Sequence, residues 1–261
     1  MKIISFIFAI LLTVTLIGCQ SNKTEEDFSA PNDNMTAPND DNSLPGDDLP
    51  VVDADMPIHE IMDSMSAEPG ESIDVYGLSE FSKMHEMLGC TDEKELDQYL
   101  RSVTGGGAHS KKDLEMFIKL VKSLPLPELL EGEVTWLSYS PGYSVSTGKE
   151  YCIFYVSIEA SDGSWVRYEY NLMVTDAKKG IDEKIQTMDA SSVIAKPIQS
   201  ADKRMTVYAE QRKTTETGNT VTWLADIDGV YARIVYNVGT NPYPVTDYFL
   251  TNVSISEFQY N

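Results

Sequence analysis

Histidine and cysteine are scarce in this chain, with three of each in 261 residues. With only His59, His85 and His109, a histidine-based catalytic triad has few candidates. Basic residues are outnumbered by acidic ones, 20 against 41. That balance argues against nucleic acid as a partner, because phosphate binding needs clustered Lys and Arg. The apolar run Ile3–Ile17 covers 15 residues, short for a helix that must cross ~30 Å of hydrocarbon. No Gly-x-Ser-x-Gly is present, and Gly148-Lys149 is followed by Glu150 rather than Ser or Thr, so no phosphate loop forms.

What is present at the N-terminus is an export pattern. One positive charge at Lys2, the apolar run and a small residue at Gly18 make a secretory signal, and no stop-transfer flank follows. Leu16-Ile17-Gly18-Cys19 resembles the lipobox of bacterial lipoproteins: the cysteine, the small residue before it and the leucine three before it all match. The resemblance covers only the first 20 residues. It implies removal of residues 1–18, a diacylglyceryl group on the Cys19 thiol, and a chain held at the extracytoplasmic face of a cell membrane. Two acyl chains suffice for stable anchoring, where one is marginal.

The charge is unevenly placed. Residues 20–75 carry 15 Asp/Glu against one Lys. Residues 20–55 are rich in Asn, Asp, Ser, Thr and Pro and hold few large apolar side chains. Such a segment cannot bury enough surface to offset chain entropy. The expectation is lipidated Cys19 followed by an acidic tether to residue 72, with a root-mean-square reach of ~40 Å, and a globular domain over 73–261. Its acidic pairs, Asp40-Asp41 and Asp47-Asp48, do not fit a twelve-residue calcium loop. Export also permits a disulfide between Cys90 and Cys152.

From Tyr76 the apolar period is helical. Ser79 is placed to cap a helix carrying Phe81, Met84 and Leu88. Asp92 and Glu95 begin a second with Leu96, Tyr99, Leu100 and Val103. Ser110 caps a third with Leu114, Phe117, Ile118 and Val121, stopped by Pro125 and Pro127. After Glu131 the period switches to two. A strand at Val134 and Trp136 is expected to turn at Pro141-Gly142. Residues 150–160 alternate, turn at Asp162-Gly163, and return with Val166, Tyr168 and Tyr170 inward and Arg167 and Glu169 outward. Three further strands are expected at 203–213, 220–227 and 230–238. The segment 245–256 reads as helix or strand. Helices grouped first and strands later predict an α+β fold: three N-terminal helices, then an antiparallel meander of about six strands.

Few constellations suggest chemistry. His85-Glu86 and His59-Glu60 begin like zinc-protease helices but lack the second His at i+4. Ser200-Ala201-Asp202-Lys203 fits Ser-x-x-Lys without its companion motifs. Met56, His59, Met62 and Met65 repeat every three residues, and Met84, His85, Met87 and Cys90 form a second soft cluster. Thioether, imidazole and thiolate select Cu(I), whereas methionine is also an adaptable core filler. Trp136, Tyr139, Tyr143, Tyr151, Tyr155 and Trp165 concentrate aromatic side chains in the sheet region. Tyr151, Ile153 and Tyr155 share the face opposite Cys152 and Phe154, so either both faces are covered or one awaits a partner.

Trp223 to Ile255 is similar to the end of a family of uncharacterised domains in Gram-positive envelope proteins. There a Trp strand turns at Asp-Gly, a Tyr strand returns and a short acidic-started helix closes the domain; Trp223, Asp228, Gly229, Tyr231, Asp247 and Phe249 match. The resemblance supplies no catalytic residues. The sequence therefore leads to the expectation of a membrane-anchored lipoprotein that binds, senses or interacts, without a cofactor and without enzyme activity. Its partners are the membrane, through the N-terminal lipid, and a protein or small ligand. Assembly of an envelope complex, hydrolysis and copper handling are the alternatives.

Overall fold

The computed structural model describes residues 56–105, 109–216 and 218–258. The signal segment, Cys19 and the tether through residue 55 lie outside the described residues. The described residues belong to one compact unit.

The chain begins with helix α1 (Ile58–Asp63), strand β1 (Ser72–Val75), helices α2 (Gly77–Met87) and α3 (Glu93–Val103), strand β2 (Thr104–Gly105), helix α4 (Lys111–Ser123) and strand β3 (Pro125–Pro127). A long run of strand follows: β4 (Glu133–Ser144), β5 (Lys149–Glu159) and β6 (Trp165–Asn171). Helix α5 (Ala177–Ile185) and a short 3-10 turn lead into β7 (Val193–Gln199), β8 (Met205–Thr215), β9 (Gly218–Ile227) and β10 (Val230–Asn237). Helix α6 (Thr246–Leu250) and β11 (Ile255–Glu257) complete the order.

This corrects the expected α+β fold of three helices followed by about six strands. The described chain is β-rich: a nine-stranded antiparallel sheet in the order β2-β1-β4-β5-β6-β10-β9-β8-β7, with a second sheet of β11 and β3. The sheet is not a simple meander, because β6 pairs with β10 rather than with the next strand in sequence. Strand β1 precedes the helices and adds to β4 by pairing Ile73 with Tyr139 and Val75 with Leu137. Four residues in an acidic stretch carry too short an alternation to be read as a strand; the apolar pair Ile73 and Val75 is nonetheless fully buried.

Packing also begins earlier than residue 73. Ile61 is 1% exposed. Asp113, at the start of α4, accepts hydrogen bonds from the Ser66 backbone N–H at 2.7 Å and the Ser66 hydroxyl at 2.6 Å. The same carboxylate closes a reciprocal cap with Ser110. One side chain thus satisfies the α4 N-terminus and ties the preceding segment to the domain.

Two other expectations change. Helix α2 starts at Gly77, before Ser79, with Tyr76 at its cap position. Strand β4 runs straight through Pro141 and Gly142, which pair with Cys152 and Tyr151. Strand β1 covers β4 only over Leu137–Tyr139. Pro141 lies beyond the β1 pairing, where its carbonyl accepts the Gly70 N–H at 3.1 Å, so its missing N–H breaks no ladder. The segment 245–256 resolves into both forms, with α6 first and the start of β11 after it.

Helices α1 to α4 and the β3–β11 pair cover one face of the sheet. Phe117 of α4 meets Phe154 of β5 with ring centroids 5.4 Å apart. Tyr168 and Tyr170 of β6 are fully buried, and each donates its hydroxyl at 2.5 Å to a β3 carbonyl, Pro127 and Pro125 respectively. Each buried phenol thereby finds an acceptor inside the core. Each large apolar side chain buried here contributes about 1.5–3 kcal/mol.

Candidate functional site

Along β4, β5, β6 and β10 every second side chain points to the other face of the sheet. Helix α5 packs over β9 and β10 on this side, where Ile181 meets Leu224 and Ala209. Gly180 lets it sit low, since a Cβ there would come 2.5 Å from Val174 Cγ1. Among the described elements, α5 leaves β4, β5 and β6 without a helix on this face.

The strand register builds the surface in rows. One row crosses the sheet as Asp74, Ser138, Tyr155, Glu169 and Arg233. The next crosses as Trp136, Ser157, Arg167 and Val235. Trp165 stands beyond them, opposite Glu159 and Asn237. Directly opposed and diagonal side chains in such a ladder lie within reach of one another.

The contacts fix the aromatic planes. The Trp136 indole N–H donates to Asp74 Oδ1 at 3.0 Å, and the Ser72 hydroxyl holds the other carboxylate oxygen at 2.7 Å. The rings of Trp136 and Tyr155 stack at 5.2 Å with an interplanar angle of 16°. The Arg167 guanidinium lies 5.2 Å from the Trp136 ring centroid and 5.8 Å from that of Trp165. Its Nε donates to the Ser157 hydroxyl at 3.3 Å. Burial pushes the Tyr155 phenol up, and the nearby Glu169 carboxylate adds to the shift.

Arg167 is set apart by its charge partners. The chain has five arginines. Arg101, Arg204, Arg212 and Arg233 each pair with a carboxylate, Arg233 with Glu169 at 2.6 Å. Among the described residues Arg167 has no carboxylate partner, in a protein of net charge −21. Its stem and plane are held by two tryptophans and a serine, while its two terminal amino groups keep their donors for something else. Next to this face, Glu131, Glu133, Thr135, Glu159 and Ser161 line an open acidic groove of about 900 Å³.

Of the aromatic residues singled out in the sequence, Trp136, Tyr151, Tyr155 and Trp165 lie half-buried on this face. Tyr139 points into the core at 3% exposure, and Tyr143 is 55% exposed at the far end of β4. Arg167 and Glu169 read from the sequence only as outward strand positions, and Asp74 and Arg233 carry no sequence signal of a site. The signal that finds two of them is Trp165-x-Arg167-x-Glu169, an i, i+2, i+4 set opposite an apolar stripe.

Met56, Met62 and Met65 are half-buried against the core, whereas His59 is exposed. His59 borders a small cleft of about 150 Å³ with Asn171, Thr175 and Val230. No group of three or more His, Cys, Asp or Glu is arranged to hold a metal ion among the described residues. Cys90 and Cys152 are both free, so the bridge that export permits is not made. Cys152 is buried in β5, where it shares the inward face with Phe154, and burial pushes its thiol up to about 11. Cys90 is half-buried just beyond α2, its Sγ 3.6 Å from the Asp92 carbonyl. His85 sits 3.4 Å from Lys122 Nζ; burial, then the lysine charge, lowers its pKa.

No helix among the described residues is long and apolar enough to cross a membrane. No family model, curated protein or solved structure matches this chain.

Proposed function

We propose that this chain is a lipid-anchored, extracytoplasmic binding module that presents the open face of β4, β5 and β6 to a ligand. The observation that carries the reading is Arg167, laid between Trp136 and Trp165 on an uncovered sheet face and left without a carboxylate. Preorganised aromatic planes and an Arg fork lower the entropy lost on binding, because they are held before the ligand arrives. Tyr, Trp and Arg are also the side chains that dominate binding energy when they occupy such surfaces. The lipobox-like Leu16-Ile17-Gly18-Cys19 and the acidic stretch after it support the location: an anchored domain displaced from an anionic membrane surface.

The test has two arms. Mass spectrometry of the mature N-terminus is expected to find a diacylated chain starting at Cys19; an unmodified chain beginning elsewhere ends the anchoring half. For the binding half, the anchored protein and its Trp136→Ala/Trp165→Ala variant are compared for envelope material retained from the native source. Retention lost in the variant, with the circular dichroism spectrum unchanged, supports the face. Equal retention by both places the binding elsewhere.

A further inference from the structure

We infer that the ligand of this face is a saccharide carrying one carboxylate among neutral sugar rings, the carboxylate docking on Arg167. The inference rests on the reading of the open face as the binding surface and gives it a substrate class.

Three observations lead there. First, charge: among the described residues of an acidic chain, the one arginine without an ion pair is the one set between the half-buried aromatic rings of this face. A guanidinium fork matches a carboxylate with two parallel hydrogen bonds, and such a bond is roughly twice as strong as a neutral one.

Second, position. The patch is centred on β5 and β6, interior strands of the sheet, with Trp136 of β4 beside the Leu137–Tyr139 stretch that β1 covers. An extended peptide that binds by adding a strand needs an edge. An interior face offers side-chain planes and hydroxyls instead. The half-buried Trp136, Tyr155 and Trp165 supply apolar planes against which the C–H faces of pyranose rings can lie.

Third, polarity along the face. Glu159 stands opposite Trp165 in the ladder and belongs to the acidic groove with Glu131 and Glu133. Carboxylates there accept hydrogen bonds from sugar hydroxyls and repel further negative charge. A polymer with an acid on every ring is thereby disfavoured, whereas a glycan with a sparse acid is accommodated. Cation at Arg167 and anions beyond Trp165 also give the bound sugar a direction.

The experiment is calorimetric titration of the full chain, in detergent, with matched sugars. The disaccharide of N-acetylglucosamine and N-acetylmuramic acid is compared with N,N′-diacetylchitobiose, which lacks the lactyl ether and its carboxylate. Hyaluronan trisaccharide with one glucuronic acid between two N-acetylglucosamines is compared with tri-N-acetylchitotriose, so that the two arms separate a lactyl from a uronic acid source. At least one acidic sugar is expected to bind about tenfold or more tightly than its neutral twin, and less tightly as salt rises. Arg167→Gln is expected to bring the acidic sugar down to the neutral one. Arg167→Lys, which keeps the charge and the stem, is expected to restore only part of the difference. Trp165→Ala is expected to weaken both members of a pair.

Equal affinity for acidic and neutral sugars, or an Arg167→Gln variant that binds as well as wild type, overturns the carboxylate assignment while Trp165→Ala still reports on the face. Binding that survives both Trp165→Ala and Trp136→Ala overturns the face as well. Failure of every sugar to bind overturns the saccharide class, and the retention experiment then decides the face independently. A dimer in which Trp165 is protected from oxidation shows a second copy as the occupant and also overturns the assignment. Unchanged thermal melting of each variant separates these outcomes from unfolding.

Discussion

Glu210 accepts the Trp223 indole N–H at 2.9 Å, on a strand where simple alternation would place that carboxylate on the opposite face. Met205 and Val207 of β8 point into the core, and the register then slips by one residue between Val207 and Ala209. The slip sends Ala209 to the α5 side, where it meets Ile181 and Leu224. It also brings Glu210 under α6, where Thr246 donates a second hydrogen bond and Arg212 pairs at 2.7 Å. A β-bulge here decides what both faces carry.

Replacing Glu210 with Ala removes the acceptor for the Trp223 N–H and the Thr246 hydroxyl. The expected loss is about 2–3 kcal/mol in urea denaturation, the scale of hydrogen bonds to a charged group. Glu210→Gln keeps an acceptor oxygen and is expected to lose less. An alanine variant as stable as wild type would show that the α6 end is held by its aromatic contacts alone, Trp223 on Phe249 at 5.8 Å.

The buried tyrosines predict an alkaline limit. Burial raises the phenols of Tyr168 and Tyr170 above their ordinary value of 10.0. The folded state thus holds these protons more tightly than the unfolded one. Their contribution is fully present below about pH 10 and is lost as pH rises from there toward the folded values. Tyr168→Phe removes one of two donors to the Pro127 carbonyl, which keeps the Leu129 N–H at 2.9 Å, and is expected to cost about 0.5–1.5 kcal/mol. Melting temperatures measured across neutral to alkaline pH check both points; a flat profile above pH 10 contradicts them.

Asp113 predicts the opposite limit. Burial pushes its carboxyl up, but hydrogen bonds from Ser66 and Ser110 outweigh burial, and the net pKa lies below the ordinary 3.8. The folded state therefore favours the charged form. This contribution is present above about pH 4 and is lost as pH falls through the lowered value. Asp113→Ala is expected to cost about 2–3 kcal/mol and to raise hydrogen exchange at Ser66, whose backbone N–H it frees. Unchanged exchange at Ser66 would show that α1 is held without this tie.

The two thiols are expected to differ in reactivity. The thiolate is the reacting form, and burial that pushes a thiol up suppresses it. Cys90 is expected to alkylate in the native protein at pH 8, and Cys152 only after unfolding. Both are expected as free thiols under non-reducing denaturation. A Cys90–Cys152 peptide in a non-reducing digest would contradict the structure.

Local physics makes part of this fold readable from composition and spacing alone. Helix α4 follows from Ser110, Asp113 and a stripe at i, i+3, i+4, i+7. The β5–β6 hairpin follows from clean alternation around Asp162-Gly163. In both, the information lies within one turn or one strand. The aromatic content of the candidate face was legible in the same way, as was the outward direction of Arg167.

Local pattern therefore accounts for the short-range elements, the acidic N-terminal stretch and the lipobox-like motif at Cys19. The tertiary structure decided the rest, because it depends on contacts between residues far apart in the chain. Pairing of β1 with β4 turned an acidic stretch into a strand, and pairing of β6 with β10 turned an expected meander into a nine-stranded sheet. Docking of α5 on β9 and β10 left β4, β5 and β6 open on that face. Arg167 is a single outward arginine in the sequence; only the register that sets it between Trp136 and Trp165, without an ion pair among the described residues, makes it a site.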